Sequence, residues 1–372
     1  MASALGIGDR RRLAGLLGPA YLWLTLAVFL PLSAMLWFSF LSDVPSAEPW
    51  HVTLENYGAF FTTGTYAKLL WKSVQLGIIV TAICVLIGFP CALVLAKQIR
   101  GRAREALFLL VILPHVDLLL VSLRERISYG KYEFSLINYT EFFVEPLYWN
   151  TYVRTAVMSI MATVLTLLIG FPVSYYIAKV MRGKGKNVLF LLCLIPFWVS
   201  ELVRTFGWMI LLRESGVISN FLQWAGIADG PVEMLYNDAT IMVGLVYTSM
   251  LFMVVPLVSV LDSLDDSLIE AGYDLGGNAF TVTRDIVIPH AMPGIASGCI
   301  VVFMLTLGNY LTPNLLGGKD SLWFTEQIYT QFITRFNWES GSAFGFLLLV
   351  LSSMIVWIGL KLSRQTLSET VS

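Results

Sequence analysis

Glu270-Ala271-Gly272-Tyr273-Asp274-Leu275-Gly276, nine further residues, then Ile286-Val287-Ile288-Pro289: this polar stretch lies between two long apolar runs and decides how the chain is read. Its pattern is that of two short helices with a turn between them. Leu264, Leu268, Ala271 and Leu275 recur at i, i+4, i+7 and i+11, which is one apolar stripe on a helix. Asp262 or Ser263 can cap its start, and Gly276-Gly277 supplies the backbone freedom a turn requires. Asn278 suits the cap of the second half. Pro289 is expected to stop that half before the next apolar run, which Pro293 can enter near its first turn.

Outward from this segment the chain is oily. Of 372 residues, 57% are hydrophobic and 13% charged, and the mean hydropathy is +0.74. Too little polar surface remains to cover a soluble core, so lipid is the solvent. The net charge of −1 carries no signal for nucleic acid, and none is expected as a partner. Cys84, Cys91, Cys193 and Cys299 all fall in apolar runs without metal-ligand spacing, so they read as small buried hydrophobes.

Eight stretches approach the roughly 20 apolar residues that cross a bilayer: 14–41, 73–96, 106–122, 155–178, 187–212, 239–261, 291–311 and 342–360. The third is the weakest, because His115 and Asp117 interrupt it. The first follows Arg10-Arg11-Arg12 and is too long for a signal-peptide core, so it is taken as a retained helix. Lys97, Arg100, Arg102 and Arg104 follow span two, and Lys179, Arg182, Lys184 and Lys186 follow span four. The excess of basic residues in these short loops puts both termini and the Glu270 segment in the cytoplasm, although Arg124, Arg126 and Lys131 land outside.

The chain also repeats itself. Leu54–Pro114 aligns without gaps to Leu136–Pro196 at a constant offset of 82 residues. Asn56-Tyr57 matches Asn138-Tyr139, Phe60-Phe61 matches Phe142-Phe143, and Ile87-Gly88-Phe89-Pro90 matches Ile169-Gly170-Phe171-Pro172. Apolar helices alone would not also align their polar loops, so this reads as a tandem duplication of a two-helix hairpin. The resulting division is a cytoplasmic N-terminus at 1–12, a first helix at 13–42, the first copy at 43–127 and a core at 128–372, whose loop is 262–290. Only the second copy runs on into Phe197-Trp198-Val199-Ser200 and Val203–Trp208, so it belongs to the core and the first is peripheral.

The loop resembles the "EAA" segment of ABC-importer permeases, which runs Glu-Ala-Ala, three residues, Gly, nine residues and Ile-x-Leu-Pro. Gly272 here replaces the second Ala and Ile288 the Leu. From about Phe134 to Leu362 the order of features is similar to polyamine (spermidine/putrescine) permeases, including Gly244–Tyr247, Asn314–Gly318 and Asn337–Gly341. The resemblance implies an all-α type I permease bundle of about eight spans in the bacterial inner membrane. It further implies a second permease, two copies of an ATPase and a periplasmic solute-binding protein as partners. Glu270, Ala271, Gly272, Asp274, Leu275, Gly276, Ile286 and Pro289 would couple to the ATPase. Permeases for opines, amino-acid derivatives, iron complexes or sulfate share much of this framework.

Among substrate-path candidates, Glu201 and Arg204 lie three residues apart and can share a helix face, either facing a cationic amine or neutralising each other. Trp198, Trp208, Tyr247 and Tyr310 can face an ammonium group or serve as packing and interfacial anchors. Asn314, with Gly317-Gly318, fits an outer gate or an ordinary turn. No metal site is expected, since His115 and Asp117 offer two ligands at most. Gly183-Lys184-Gly185-Lys186 lacks the spacing and hydroxyl of a phosphate-binding loop, and no hydrolase motif occurs, so no catalytic residue or cofactor is expected. An ion-driven transporter would need charged relays, and the central spans are nearly free of charge.

Overall fold

In the computed structural model the described residues are 30–41, 51–90, 93, 113–128, 131–318 and 321–363. The Arg10–Arg12 cluster, the start of the first and third spans, Cys91, the Lys97–Arg104 loop and the residues after Ser363 lie outside them. Helices α1 (Leu30–Ser39) and α4 (Leu113–Ser122) are the described parts of spans one and three. The chain forms two compact units, 35–121 and 1–34 with 122–372.

In the smaller unit α2 (Glu55–Thr62) leads into α3 (Gly64–Ile83), which continues through a π-helical turn at Cys84–Gly88. Asn56 Nδ2 donates to Ser39 O (3.1 Å) and Leu41 O (3.0 Å), tying the start of α2 to the end of α1. Ser39 Oγ and Tyr57 Oη are 2.6 Å apart.

The larger unit opens with a two-stranded antiparallel hairpin, β1 (Arg124–Ser128) and β2 (Lys131–Phe134), an exception to the all-helical expectation. Next come α5 (Ile137–Val144) and α6 (Pro146–Tyr175), the latter ending in a π turn at Tyr176–Val180. Asn138 Nδ2 donates to Ser122 O (3.0 Å) and Arg124 O (2.8 Å), and Ser122 Oγ lies 2.7 Å from Tyr139 Oη. These contacts match those of Asn56 and Tyr57, and α5 begins and ends 82 residues after α2. The isolated bridge Leu41↔Val52 likewise corresponds to the pair Arg124↔Phe134.

Span five is not one helix. α7 (Lys184–Trp198) and α8 (Glu201–Leu212), which leads on to α9 (Val217–Trp224), meet at a bend of 93°. Val199 and Ser200 are extended there, and Pro196, in the last turn of α7, has no amide hydrogen to give to that helix. Composition hid the break because long apolar runs flank Ser200 and Glu201 on both sides.

At the centre stands α10 (Asp238–Asp262), capped by Asn237 Oδ1 accepting from Thr240 N at 3.0 Å. Leu245, Met253, Leu257 and Leu261 on it are fully buried. Then come α11 (Asp266–Asp274), α12 (Ala279–Val282), a π turn at Thr283–Val287, α13 (Ile288–Leu307), α14 (Leu311–Leu316), α15 (Phe324–Tyr329) and α16 (Trp338–Ser363). Among the described residues five helical stretches are long and apolar enough to span a membrane, or six with the bent pair. The two further spans expected, 14–41 and 106–122, begin outside the described residues.

The expected stop at Pro289 does not occur. Ala279–Leu307 is one continuous helical stretch. Pro289 is accommodated because the π turn widens the helix just before it, with Ile288 N bonding to Thr283 O five residues back.

Candidate functional site

The 262–290 segment is seated on the ends of the central helices. The cap of α11 is Asp265, whose Oδ1 accepts from Ser267 N at 2.9 Å, rather than Asp262 or Ser263. Those two residues have other partners: Asp262 pairs with Lys186, and Ser263 Oγ lies 3.2 Å from His290 Nε2. The Ser267 amide and hydroxyl, with Lys179 beyond them, hold the exposed Asp265 carboxyl below the ordinary carboxylate range. Asn278 caps α12, its Oδ1 accepting from Thr281 N at 2.9 Å.

Lys179 is the anchor. Its side chain is 7% exposed, and Nζ bonds Leu264 O and, at 3.1 Å, Asp266 Oδ1. Arg182 adds a contact to Asp266 at 3.6 Å. The basic loop after span four therefore holds the start of α11, beyond its use in assigning sidedness.

The apolar stripe divides. Leu264 is buried, but Leu268, Ala271 and Leu275 are exposed, Leu275 to 90%, and Phe280 beside them to 74%. Ile269, Val282 and Val287 hold the segment down instead, packed with Leu257, Leu261 and Ala291. Gly272 has a clear reason to be glycine: a Cβ there would lie 2.7 Å from Ile286 Cδ1 and 3.2 Å from Val282 Cγ2. The close approach of the two halves offsets a helix-propensity cost of about 1 kcal/mol. Gly276 adopts φ +84°, the left-handed turn expected of it. Glu270, Ala271 and Asp274 are exposed, as is Pro289, while Ile286 is half-buried.

The substrate-path candidates fall in four places. Arg204, Trp208 and Tyr247 are buried together, with the Arg204 guanidinium 5.9 Å from the Tyr247 ring centre and Trp208 edge-on to Tyr247 at 5.7 Å. Arg204 Nε and Tyr247 Oη find no hydrogen-bond partner among the described residues. Glu201 does not pair with Arg204; its Oε1 accepts from Asn309 Nδ2 at 2.7 Å, at the point where α8 begins. Asn309 Oδ1 in turn accepts from Thr312 N at 2.9 Å, and Asn309 O from Thr325 Oγ1 at 2.8 Å, so Asn309 ties three segments. Sequence reasoning passed over it because the expected span 291–311 runs past the point where α13 ends, at Leu307.

Tyr310 stacks on Tyr329 at 4.7 Å and Asn314 is exposed on α14, neither touching the Arg204 group. Trp198 is 76% exposed at the bend. Among the described residues no group of three metal-ligating side chains occurs.

Comparison with known proteins agrees with this architecture. The family described as "Binding-protein-dependent transport system inner membrane component" matches residues 170–366. The spermidine/putrescine transport system permease protein PotB of Escherichia coli (strain K12) is 33% identical over 260 residues, 69% of this chain and 94% of that one. PotB of Haemophilus influenzae is 34% identical over 254 residues, 68% of this chain and 88% of its own length. A solved bacterial ABC transporter that imports the acidic polysaccharide alginate superposes with a TM-score of 0.55 at 16% identity, covering 79% of this chain and 98% of that one. It shares the fold. The chain belongs to the binding-protein-dependent inner-membrane transport family: it is a multi-pass permease subunit of an ABC importer, without catalytic activity of its own.

Proposed function

We propose that this permease carries a polyamine such as spermidine or putrescine inward, driven by a separate ATPase that grips α11 and α12. In this reading two ATPase copies, a second permease and a periplasmic binding protein complete the importer. The observation that carries the coupling role is the outward-facing trio Leu268, Leu275 and Phe280 on a firmly held base. Apolar side chains left in water at the end of a membrane bundle, rimmed by Glu270 and Asp274, suit a protein surface rather than lipid. ATP-driven closure would draw two such segments together and open the cavity outward.

The polyamine assignment rests on the names of the PotB relatives. The Glu201 carboxylate at the 93° bend and the aromatic faces of Trp208 and Tyr247 are groups that attract an ammonium ion. Arg204 favours a second reading. A buried guanidinium without an ion-pair partner among the described residues suits a solute that also carries a carboxylate, such as an opine or another amino-acid derivative.

Reconstituting the complete importer in proteoliposomes with ATP inside and radiolabelled spermidine outside separates them. Spermidine uptake that excess zwitterionic amino-acid derivatives leave untouched supports the polyamine. Uptake of the zwitterion alone overturns it.

A further inference from the structure

The smaller unit is a copy of a docking element whose use is visible elsewhere in the same chain. In the second copy five side chains hold α5 and α6 to the permease core. Asn138 Oδ1 accepts from Ser340 Oγ at 3.0 Å, and Phe142, fully buried, packs edge-on against Phe324 and Phe344. Tyr148 packs on Phe344 at 4.7 Å, Arg154 pairs with Asp238, and Thr155 Oγ1 accepts from Phe324 N at 2.9 Å. Subtracting 82 from each number gives Asn56, Phe60, Tyr66, Lys72 and Ser73. Each keeps the chemistry of its counterpart: amide, phenyl, phenol, cation and hydroxyl.

These five are also pre-arranged. Asn56 spends its amide hydrogens on Ser39 O and Leu41 O, as Asn138 does on Ser122 O and Arg124 O, which fixes the amide plane and keeps Oδ1 for the role of acceptor. Phe60 meets Phe61 edge-on at 5.3 Å and 88°, against 5.0 Å and 83° for Phe142 and Phe143. In the first copy, however, Asn56, Tyr66, Lys72 and Ser73 are exposed, Phe60 is half-buried, and no residue in the apolar window of Gly64–Gly88 is buried. Lys72 and Ser73 stand at the head of the expected span 73–96 and Asn56 before it, and an oriented amide, a cation and a hydroxyl exposed together there repeat the docking chemistry of the second copy.

We propose that the smaller unit docks on the core of the importer's second permease, against the face equivalent to the one that α5 and α6 cover here. The chain's own face is already filled by the second copy, so the first must find another. Its occupant must offer what Asp238, Phe324, Ser340 and Phe344 offer: a carboxylate at the start of the central helix for Lys72, a free amide for Ser73, and a hydroxyl and an aromatic ring in the first turns of the last helix for Asn56, Phe60 and Tyr66. The relatives named above match over 69% and 68% of this chain but over 94% and 88% of their own lengths, so they are shorter than it, in keeping with an added pair that grips another permease rather than forming the conduit. The inference rests on the reading that a second permease is present.

The test places the photoreactive p-benzoylphenylalanine at position 60 of the full chain, in the complete importer in native membranes, and maps the adduct by mass spectrometry. The expected product joins position 60 to the first turns of the second permease's last helix. Lys72→Glu should cut its yield at least fivefold, with recovery when the facing carboxylate of the partner is changed to lysine. Capture of Phe324 or Phe344 of the same chain, or of lipid alone, overturns the proposal while the two-permease reading stands. A purified wild-type importer that contains no second permease overturns both.

Discussion

Replacing Leu275 by Asp isolates the grip of the ATPase from the fold of the permease. Leu275 is 90% exposed and follows the last turn of α11, so the native packing barely registers the change. A surface substitution of this kind stays within about 0.5 kcal/mol of wild type. On docking, by contrast, a leucine that passes from water into a protein interface contributes about 1.5–3 kcal/mol. At about 1.4 kcal/mol per tenfold, losing it weakens ATPase binding roughly 10- to 100-fold. The new carboxylate also sits at the negative end of a helix and must shed water, which adds to the loss. The assay is a titration of the ATPase subunit against permease complex in lipid nanodiscs, with ATP hydrolysis as a second readout and Leu275→Met as the control. Insertion and thermal stability of the permease should match wild type. Binding within twofold of wild type refutes the docking role of this face.

Other perturbations follow from the same geometry. Gly276→Pro requires φ near −65° where the chain has +84°, and removes the 2.9 Å bond from Gly276 N to Tyr273 O, so uptake should vanish while membrane insertion persists, as read by transport and protease protection. Lys179→Met deprives Leu264 O and Asp266 of a buried ammonium, a loss of about 1.5–3 kcal/mol by charged hydrogen-bond values; faster amide exchange confined to α11 and α12 would report it. Gly298→Val puts a Cβ 2.8 Å from Met253 Sδ between α13 and α10, and should lower the melting temperature of the complex by overpacking of about 1–3 kcal/mol. Because the folded Asp265 carboxyl is held below its ordinary value, its cap is fully present at neutral pH and is lost only as pH falls through that lowered value. Exchange of the Ser267 amide should therefore stay protected as the pH falls through the ordinary carboxylate range and open only below it.

Much of the bundle was legible because lipid enforces length and apolarity on a span, and the Gly276-Gly277-Asn278 turn because each residue there has few other uses. What escaped is what composition does not record. The 93° break at Val199-Ser200 is averaged away by the apolar runs on either side of it, and the π turn before Pro289 depends on hydrogen-bond slippage that no residue type announces. Periodicity found the stripe Leu264-Leu268-Ala271-Leu275 without revealing that its later members face water, since a docking face and a packing face share one pattern. In the candidate site, Arg204, Trp208 and Tyr247 do meet, but Glu201 turned to Asn309, a partner 108 residues away that local spacing could not supply.

The unbroken helix from Ala279 to Leu307 has a mechanical consequence. At about 1.5 Å per residue it is a lever roughly 43 Å long, with Phe280 near its handle and Leu307 at its far tip. Tilted by about 10° around its middle, such a rod swings each end by roughly 4 Å. A push on the handle thus reaches the opposite membrane face without crossing any joint in the backbone.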